Sequence, residues 1–128
     1  MKLHHSGFIV SNIDIYQTKM IFEEKVADLT DPIQNARLSL YKNYADSFIE
    51  LIQPLNKDAF TWNSLQKYGD HFEHLCYMVS TFNEMEVIVN KFKMLLILEP
   101  KPAILFNNKL VAFYYNRNKE IVEFLINS

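Results

Sequence analysis

Cysteine is almost absent from this chain, with Cys76 alone among 128 residues. A single thiol excludes an internal disulfide framework and accords with a reducing compartment, so the cytoplasm is the expected location. Glycine is nearly as scarce. Gly7 and Gly69 are the only two, which leaves no glycine-rich loop to cradle a phosphate. An excess of charge of one sign is also lacking: 13 basic against 15 acidic residues give a net charge of −2. That balance offers no broad basic field for nucleic acid or an anionic membrane surface. No apolar run approaches the ~18 residues of a transmembrane helix. Residues 1–7 lack the apolar stretch and small-residue cleavage site of a secretory signal.

What is present is enough for a packed interior. Hydrophobic residues make up 49% of the chain, and its length suits a single domain. Hydrophobic period then divides it. Leu3–Val10 reads as a strand, and Asn12-Ile13-Asp14 starts an amphipathic helix that Glu23, Glu24 and Lys25 close. Val26–Thr30 is left for a strand, followed by strands at Ala36–Tyr41 and Ser47–Ile52, the last stopped by Pro54. A helix over Ala59–Lys67 ends at Gly69. The order then repeats: strand Phe72–Val79, helix Asn83–Phe92, a short strand Leu95–Leu98, strand Lys109–Tyr115, a turn at 116–119 and strand Glu120–Ile126.

This order describes a duplicated βαβββ unit, with modules of approximately 1–56 and 70–128 joined by a connecting helix within 57–69. The expected class is α+β, one domain over 1–128. Specific residues echo between the halves. His5-Ser6-Gly7-Phe8 parallels His74-Leu75-Cys76-Tyr77, and Ile49-Glu50-Leu51-Ile52 parallels Val122-Glu123-Phe124-Leu125. In each half a histidine enters the first strand and a glutamate interrupts an apolar last strand.

A carboxylate among such neighbours is costly to bury without a partner. Taken singly, each glutamate is read more simply as a residue facing water, and each histidine as a satisfied strand residue. Duplication changes that weighing, because unrelated surface residues have no reason to recur at matching places. If the halves pair about a pseudo-twofold, two imidazoles and two carboxylates converge in one cleft. That donor set suits a divalent ion of intermediate hardness such as Mn, Co, Ni, Fe or Zn, with open positions for water or substrate.

Other candidates carry less. His4 neighbours His5, but adjacent strand residues face opposite ways, so only one enters a cleft. His71 reads as a loop residue, and Cys76 as a small buried hydrophobe that shares a face with His74. Phe82, Met85, Val89 and Phe92 form a stripe at helical spacing, the mark of any core-facing helix.

With these residues in view, the chain resembles the vicinal oxygen chelate superfamily, which includes glyoxalase I, methylmalonyl-CoA epimerase and bleomycin-resistance proteins. The resemblance runs from His5-Ser6-Gly7 to Glu123-Phe124-Leu125 and is strongest to the epimerase-like branch. Ile49-Glu50-Leu51-Ile52-Gln53-Pro54-Leu55-Asn56, Lys67-Tyr68-Gly69, Glu73-His74-Leu75-Cys76-Tyr77 and Glu99-Pro100-Lys101-Pro102 carry it. It implies a glyoxalase-like domain with a metal cleft between curved sheets. It places the superfamily's metal tetrad on His5, Glu50, His74 and Glu123. It also implies an ion that grips substrate oxygens while a carboxylate moves a proton beside a carbonyl, with Glu123 as base and Glu50 as its counterpart. A homodimer is the implied assembly.

Two departures narrow the reaction. Epimerases often carry Gln at the second ligand position, where Glu50 stands here as in glyoxalase I. They also draw an acid from the third strand, and none occurs near Arg37–Ser39. Three functions follow. The first is an epimerase or isomerase acting on an acyl thioester such as methylmalonyl-CoA. The second is a glyoxalase I-like lyase acting on a hemithioacetal of glutathione. The third is a metal-free module that binds a small molecule or drug.

Overall fold

A computed structural model describes Met1–Ser128 in full. Its elements run β1 (Lys2–Ile9), α1 (Ile13–Tyr16), β2 (Glu24–Asp31), β3 (Ala36–Lys42), β4 (Phe48–Pro54), α2 (Trp62–Tyr68), β5 (His71–Val79), α3 (Phe82–Lys91), β6 (Leu95–Ala103), β7 (Lys109–Tyr115) and β8 (Ile121–Ile126). The order is βαβββ, a linking helix, and βαβββ again. The chain is therefore α+β, as its hydrophobic periods predict. No helix is long and apolar enough to cross a membrane.

The chain divides into two compact units, Ser6–Glu73 and a second made of Met1–His5 with His74–Ser128. The division falls within β1 and within β5. In Ser6–Glu73 the hydrogen-bonded order is β2-β3-β4-β1, with β2 and β3 and then β3 and β4 antiparallel. In the second unit β5 pairs parallel with β8, and β8-β7-β6 continue antiparallel.

Alternation gives each sheet two distinct faces. In the second unit Val79, Ala112, Tyr114, Phe124 and Ile126 pack against Met85 and Val89 of α3, with Tyr77 and Val122 at the margin. His74, Cys76 and Glu123 lie at the intervening positions and therefore on the opposite face. In Ser6–Glu73, Tyr41 and Leu51 pack with Val10 and Ile13, which puts Glu50 on the face away from α1. There Glu50 is opposite Leu40, and Ile52 opposite Leu38.

Several elements depart from the sequence expectation, each for a local reason. The first helix is far shorter than the pattern through Lys25 predicts. Asn12 caps it by accepting from the Ile15 amide at 3.0 Å, and a 3-10 turn at Gln17–Lys19 ends with Met20 in extended conformation. Thr18 donates its hydroxyl to the Ile15 carbonyl at 2.6 Å, a local bond that competes with the helix ladder. Glu24 and Lys25 open β2 instead, where pairing with Lys42 and Tyr41 outweighs their helical preference.

His71 is the first residue of β5 rather than part of a loop. β6 continues to Ala103 through Pro100 and Pro102, which an edge strand paired only to β7 tolerates. Its register slips twice, between Leu96 and Leu98 and between Leu98 and Lys101. Gly69 ends α2 as expected, at φ 69°, a conformation suited to glycine. On α3 only the middle of the predicted stripe is covered. Met85 and Val89 are buried, while Phe82 and Phe92 at the ends are about half exposed.

Candidate metal centre

Three strands of the second unit bring three ligand-type side chains together. His5 ends that unit's share of β1, His74 stands near the start of β5, and Glu123 sits in the middle of β8. The parallel register sets His74 beside Ile121 and Cys76 beside Glu123, so His74 and Glu123 are diagonal neighbours on one face. His5 Nε2 lies 3.0 Å from Glu123 Oε1, and His74 Nε2 lies 3.1 Å from the same oxygen. The two Nε2 atoms are 3.2 Å apart. Three ligand atoms thus form a near-equilateral triangle.

The triangle is buried and walled by rings. His5 and His74 are 0% and 1% exposed and Glu123 is 4% exposed. Phe106 stacks on the His5 ring at 5.3 Å between centroids, and Phe113 meets His74 edge-on at 5.7 Å. Phe113 is also the β7 partner of Glu123, so the same strand pair that places the carboxylate places its apolar wall.

Glu123 Oε1 is the informative atom. Although two ring nitrogens stand within reach, the oxygen receives no directed hydrogen bond. Burial alone pushes its carboxyl toward the protonated form, so an ionised Glu123 needs positive charge or donors at this oxygen. The result is a buried carboxylate oxygen facing two imidazole nitrogens at ligand-type separation. A buried charge left so is expensive, and a cation between the three atoms would satisfy all of them. Two nitrogens and an oxygen suit Zn, Co, Ni, Mn or Fe.

Glu50 belongs to the other unit. It is 4% exposed, so it does not simply face water, the simpler reading of a glutamate at that point. Of the lesser candidates, His71 is engaged locally, with Nε2 at 2.7 Å from the Ser64 hydroxyl and Nδ1 at 2.7 Å from the Gly69 carbonyl. Cys76 is fully buried. His4 departs most from expectation. Strand alternation sends it away from His5, yet its Nδ1 lies 2.8 Å from His5 Nδ1, and with Cys76 these rings place ligand-type atoms within 4.8 Å of one another. The His4-His5 doublet was the only signal in the sequence for that contact.

The third strand carries no acid here, and the structure shows what stands there instead. Arg37 is bound to Asp14 through two bonds of 3.0 Å and to Asp28 through bonds of 3.0 and 2.7 Å. The guanidinium holds the Asp28 carboxyl down to about 2, with Lys25 assisting. Ser39, two residues on, is fully buried.

No model of a protein family matches this sequence, and no curated protein does. Solved structures do match, over nearly the whole chain. A hypothetical protein from Bacillus halodurans superposes with a TM-score of 0.84 at 23% identity, covering 99% of this chain and 94% of that one. Methylmalonyl-CoA epimerase from Mycobacterium tuberculosis gives a TM-score of 0.84 at 19% identity, covering 99% and 88%. A variant Streptomyces coelicolor methylmalonyl-CoA epimerase in complex with 2-nitronate-propionyl-CoA gives 0.81 at 14% identity, covering 100% and 98%. The chain thus has the glyoxalase-like fold of these epimerases, the fold its sequence resemblance implies.

Proposed function

We propose that this chain is a metal-dependent epimerase or isomerase that moves a proton on the carbon beside a thioester carbonyl, in the manner of a methylmalonyl-CoA epimerase. The observation that carries the proposal is Glu123 Oε1, buried and facing two imidazole nitrogens at 3.0 and 3.1 Å. His5 and His74 act as plain ligands. Glu123 is both ligand and base, and Glu50 is the fourth ligand and the base for the opposite face of the reacting carbon.

When bound, the ion would stabilise charge building on the substrate's carbonyl oxygen as its α-proton leaves. The chain's own residues supply the rest. A base must be ionised before it acts, which burial of Glu123 opposes unless positive charge lies beside its oxygen. Phe106 and Phe113 fix the imidazole planes and keep water from the ligands. With Arg37 bound by two aspartates and no acid within Arg37–Ser39 of the third strand, a two-base exchange has Glu50 and Glu123 as its pair. A positioned base contributes about 10²–10⁴-fold to such a step. The acyl-CoA class of substrate is supported by the similar epimerase crystallised with 2-nitronate-propionyl-CoA.

We read residues 1–128 as one domain of modules 1–56 and 70–128, working as a homodimer in the cytoplasm; sedimentation would report the dimer. The central test incubates metal-loaded protein with methylmalonyl-CoA in deuterated water. Exchange of the α-proton is expected, and its loss on chelation. A protein that holds metal but exchanges nothing would remove the reading.

One observation favours a second reading. Glu50 is a carboxylate where epimerases often have an amide, and this matches glyoxalase I. Thioester formation from glutathione and methylglyoxal would establish that lyase activity instead. Elemental analysis finding no bound ion, even after metal add-back, would favour a metal-free binding module.

A further inference from the structure

We propose that His4 is a positioning residue for the metal centre: its Nδ1 accepts the Nδ1–H of His5 and thereby keeps His5 Nε2 a bare lone pair. The inference rests on the proposed metal reading and adds to it a residue that the ligand set does not include.

The geometry is unusual for neighbours in a strand. The two rings meet edge to face, with centroids 5.1 Å apart and planes at 80°. Their Nδ1 atoms are 2.8 Å apart, a hydrogen-bond length. Phe106 holds both, stacking on His5 and meeting His4 edge-on at 5.2 Å. His4 is partly buried and His5 wholly so.

The direction of that bond follows from proton counting. A neutral imidazole carries one N–H, and at a Nδ1···Nδ1 contact only one ring donates. If His4 donated, His5 would carry its own proton on Nε2, the nitrogen that faces Glu123 and His74, and that nitrogen would be blocked as a ligand. If His5 donates, its proton sits on Nδ1 and Nε2 is free to coordinate. His4 then accepts with Nδ1 and keeps its own proton on Nε2. Ligating histidines generally donate their second ring N–H to a carboxylate, carbonyl or water, which fixes tautomer and ring orientation. Here a neighbouring imidazole takes that place, from the same strand.

The test compares the full-length parent with His4→Phe and His4→Asn. Phe keeps a ring against Phe106 and removes the acceptor. Asn keeps an acceptor, its Oδ1 standing about where Nδ1 stood. Zinc affinity is measured by competition with a chromophoric chelator, and ring ¹⁵N shifts of the zinc-loaded protein report the His5 tautomer. Urea unfolding without metal checks that each variant folds.

His4→Phe should bind zinc about 10–100-fold more weakly than the parent. His4→Asn should recover most of the difference, with His5 protonated on Nδ1 in both parent and Asn variant. Equal affinity of the parent and the Phe variant would overturn the inference, as would an Asn variant as weak as Phe. So would a second equivalent of zinc bound by the parent and lost in the Phe variant, which would make the Nδ1 pair a second ion site. A parent that binds no zinc at all would instead bring down the metal reading beneath it, a pattern distinct from the others.

Discussion

The two βαβββ halves treat their glutamate strands alike and cover them differently. In Ser6–Glu73, the β4 face away from Glu50 is closed by Tyr41, Leu51, Val10 and Ile13 beneath a four-residue helix. The cover is anchored by polar bonds. Arg37 reaches from β3 to Asp14 of α1 and Asp28 of β2, and Gln53 accepts from the Ile13 amide at 2.8 Å. In the other unit, the β8 face away from Glu123 lies beneath ten-residue α3 and is almost wholly apolar. What recurs is the strand pattern that sends a glutamate to one face and aromatic or aliphatic residues to the other. The helices are free to differ because they bear only on the far face.

If that comparison holds, the largest effects come from the glutamates. Glu123→Gln should slow α-proton exchange by at least about 10²-fold. Loss of exchange with metal retained would assign Glu123 chiefly as base, and loss of both as ligand first. Glu50→Gln should cost epimerisation as heavily, since each base serves one face of the carbon. An epimerisation rate unchanged by Glu50→Gln would break the equivalence of the halves at its centre.

Core truncations come next and sharpen the difference between the covers. Phe124→Ala removes a 1% exposed ring from the apolar layer beneath α3 and should cost about 3–5 kcal/mol. Leu51→Ala, in the smaller cluster beneath α1, should cost about 2–4 kcal/mol. Urea unfolding of both variants measures the pair. A Leu51 cost well above that of Phe124 would mean that the polar-anchored half is the better packed.

Helix capping gives a smaller contrast. Thr81 accepts from the Glu84 amide at 3.1 Å, and Glu84 in turn accepts from the Ser80 amide at 2.8 Å, so the start of α3 is tied twice. Thr81→Ala should therefore cost about 1 kcal/mol. Asn12→Ala removes the single cap of a helix only one turn long and should cost about half as much. Thermal unfolding of the two variants would show it, and equal losses would argue that α1 is as cooperative as α3.

The sequence pointed to the buried cluster of His5, His74 and Glu123 better than to its surroundings. His5, His74 and Glu123 were legible because each breaks an apolar strand and each has an echo in the other half, a signal that no single strand supplies. Most strands of the second half were legible as well, down to Lys109–Tyr115, with β6 the exception. What failed was set by tertiary pairing. Glu24 and Lys25 have helical preferences, and only the partner strand β3 makes them a β2 edge. Pro100 and Pro102 look like terminators until β6 is known to lie at an edge. The His4 contact was not legible: alternation describes Cβ directions, whereas its ring meets Phe106 and the Nδ1 of His5. Arg37 showed only that an acid was missing, and its two aspartates lie in other elements.

The smallest effect separates charge from packing in the first half. The Asp28 carboxyl is held at about 2, below its ordinary 3.8, first by hydrogen bonds from Arg37 and then by Lys25. Asp14 is lowered by the same guanidinium. A carboxyl whose folded value is depressed stabilises the fold above its ordinary value, and that share is lost as pH falls through the folded one. The window here runs from about pH 4 down to about 2. Asp28 is 30% exposed, so solvent screening discounts the shift, and Arg37→Met should cost under about 1 kcal/mol at neutral pH. Met keeps most of the aliphatic stem, so the loss should be chiefly charge. Denaturant unfolding of parent and variant at pH 7, 4 and 2.5 should show their difference narrowing toward the acid end. A gap that stayed constant would assign the loss to the stem's packing over β2 and β3. The first half would then be closed by apolar contact after all, as the second is.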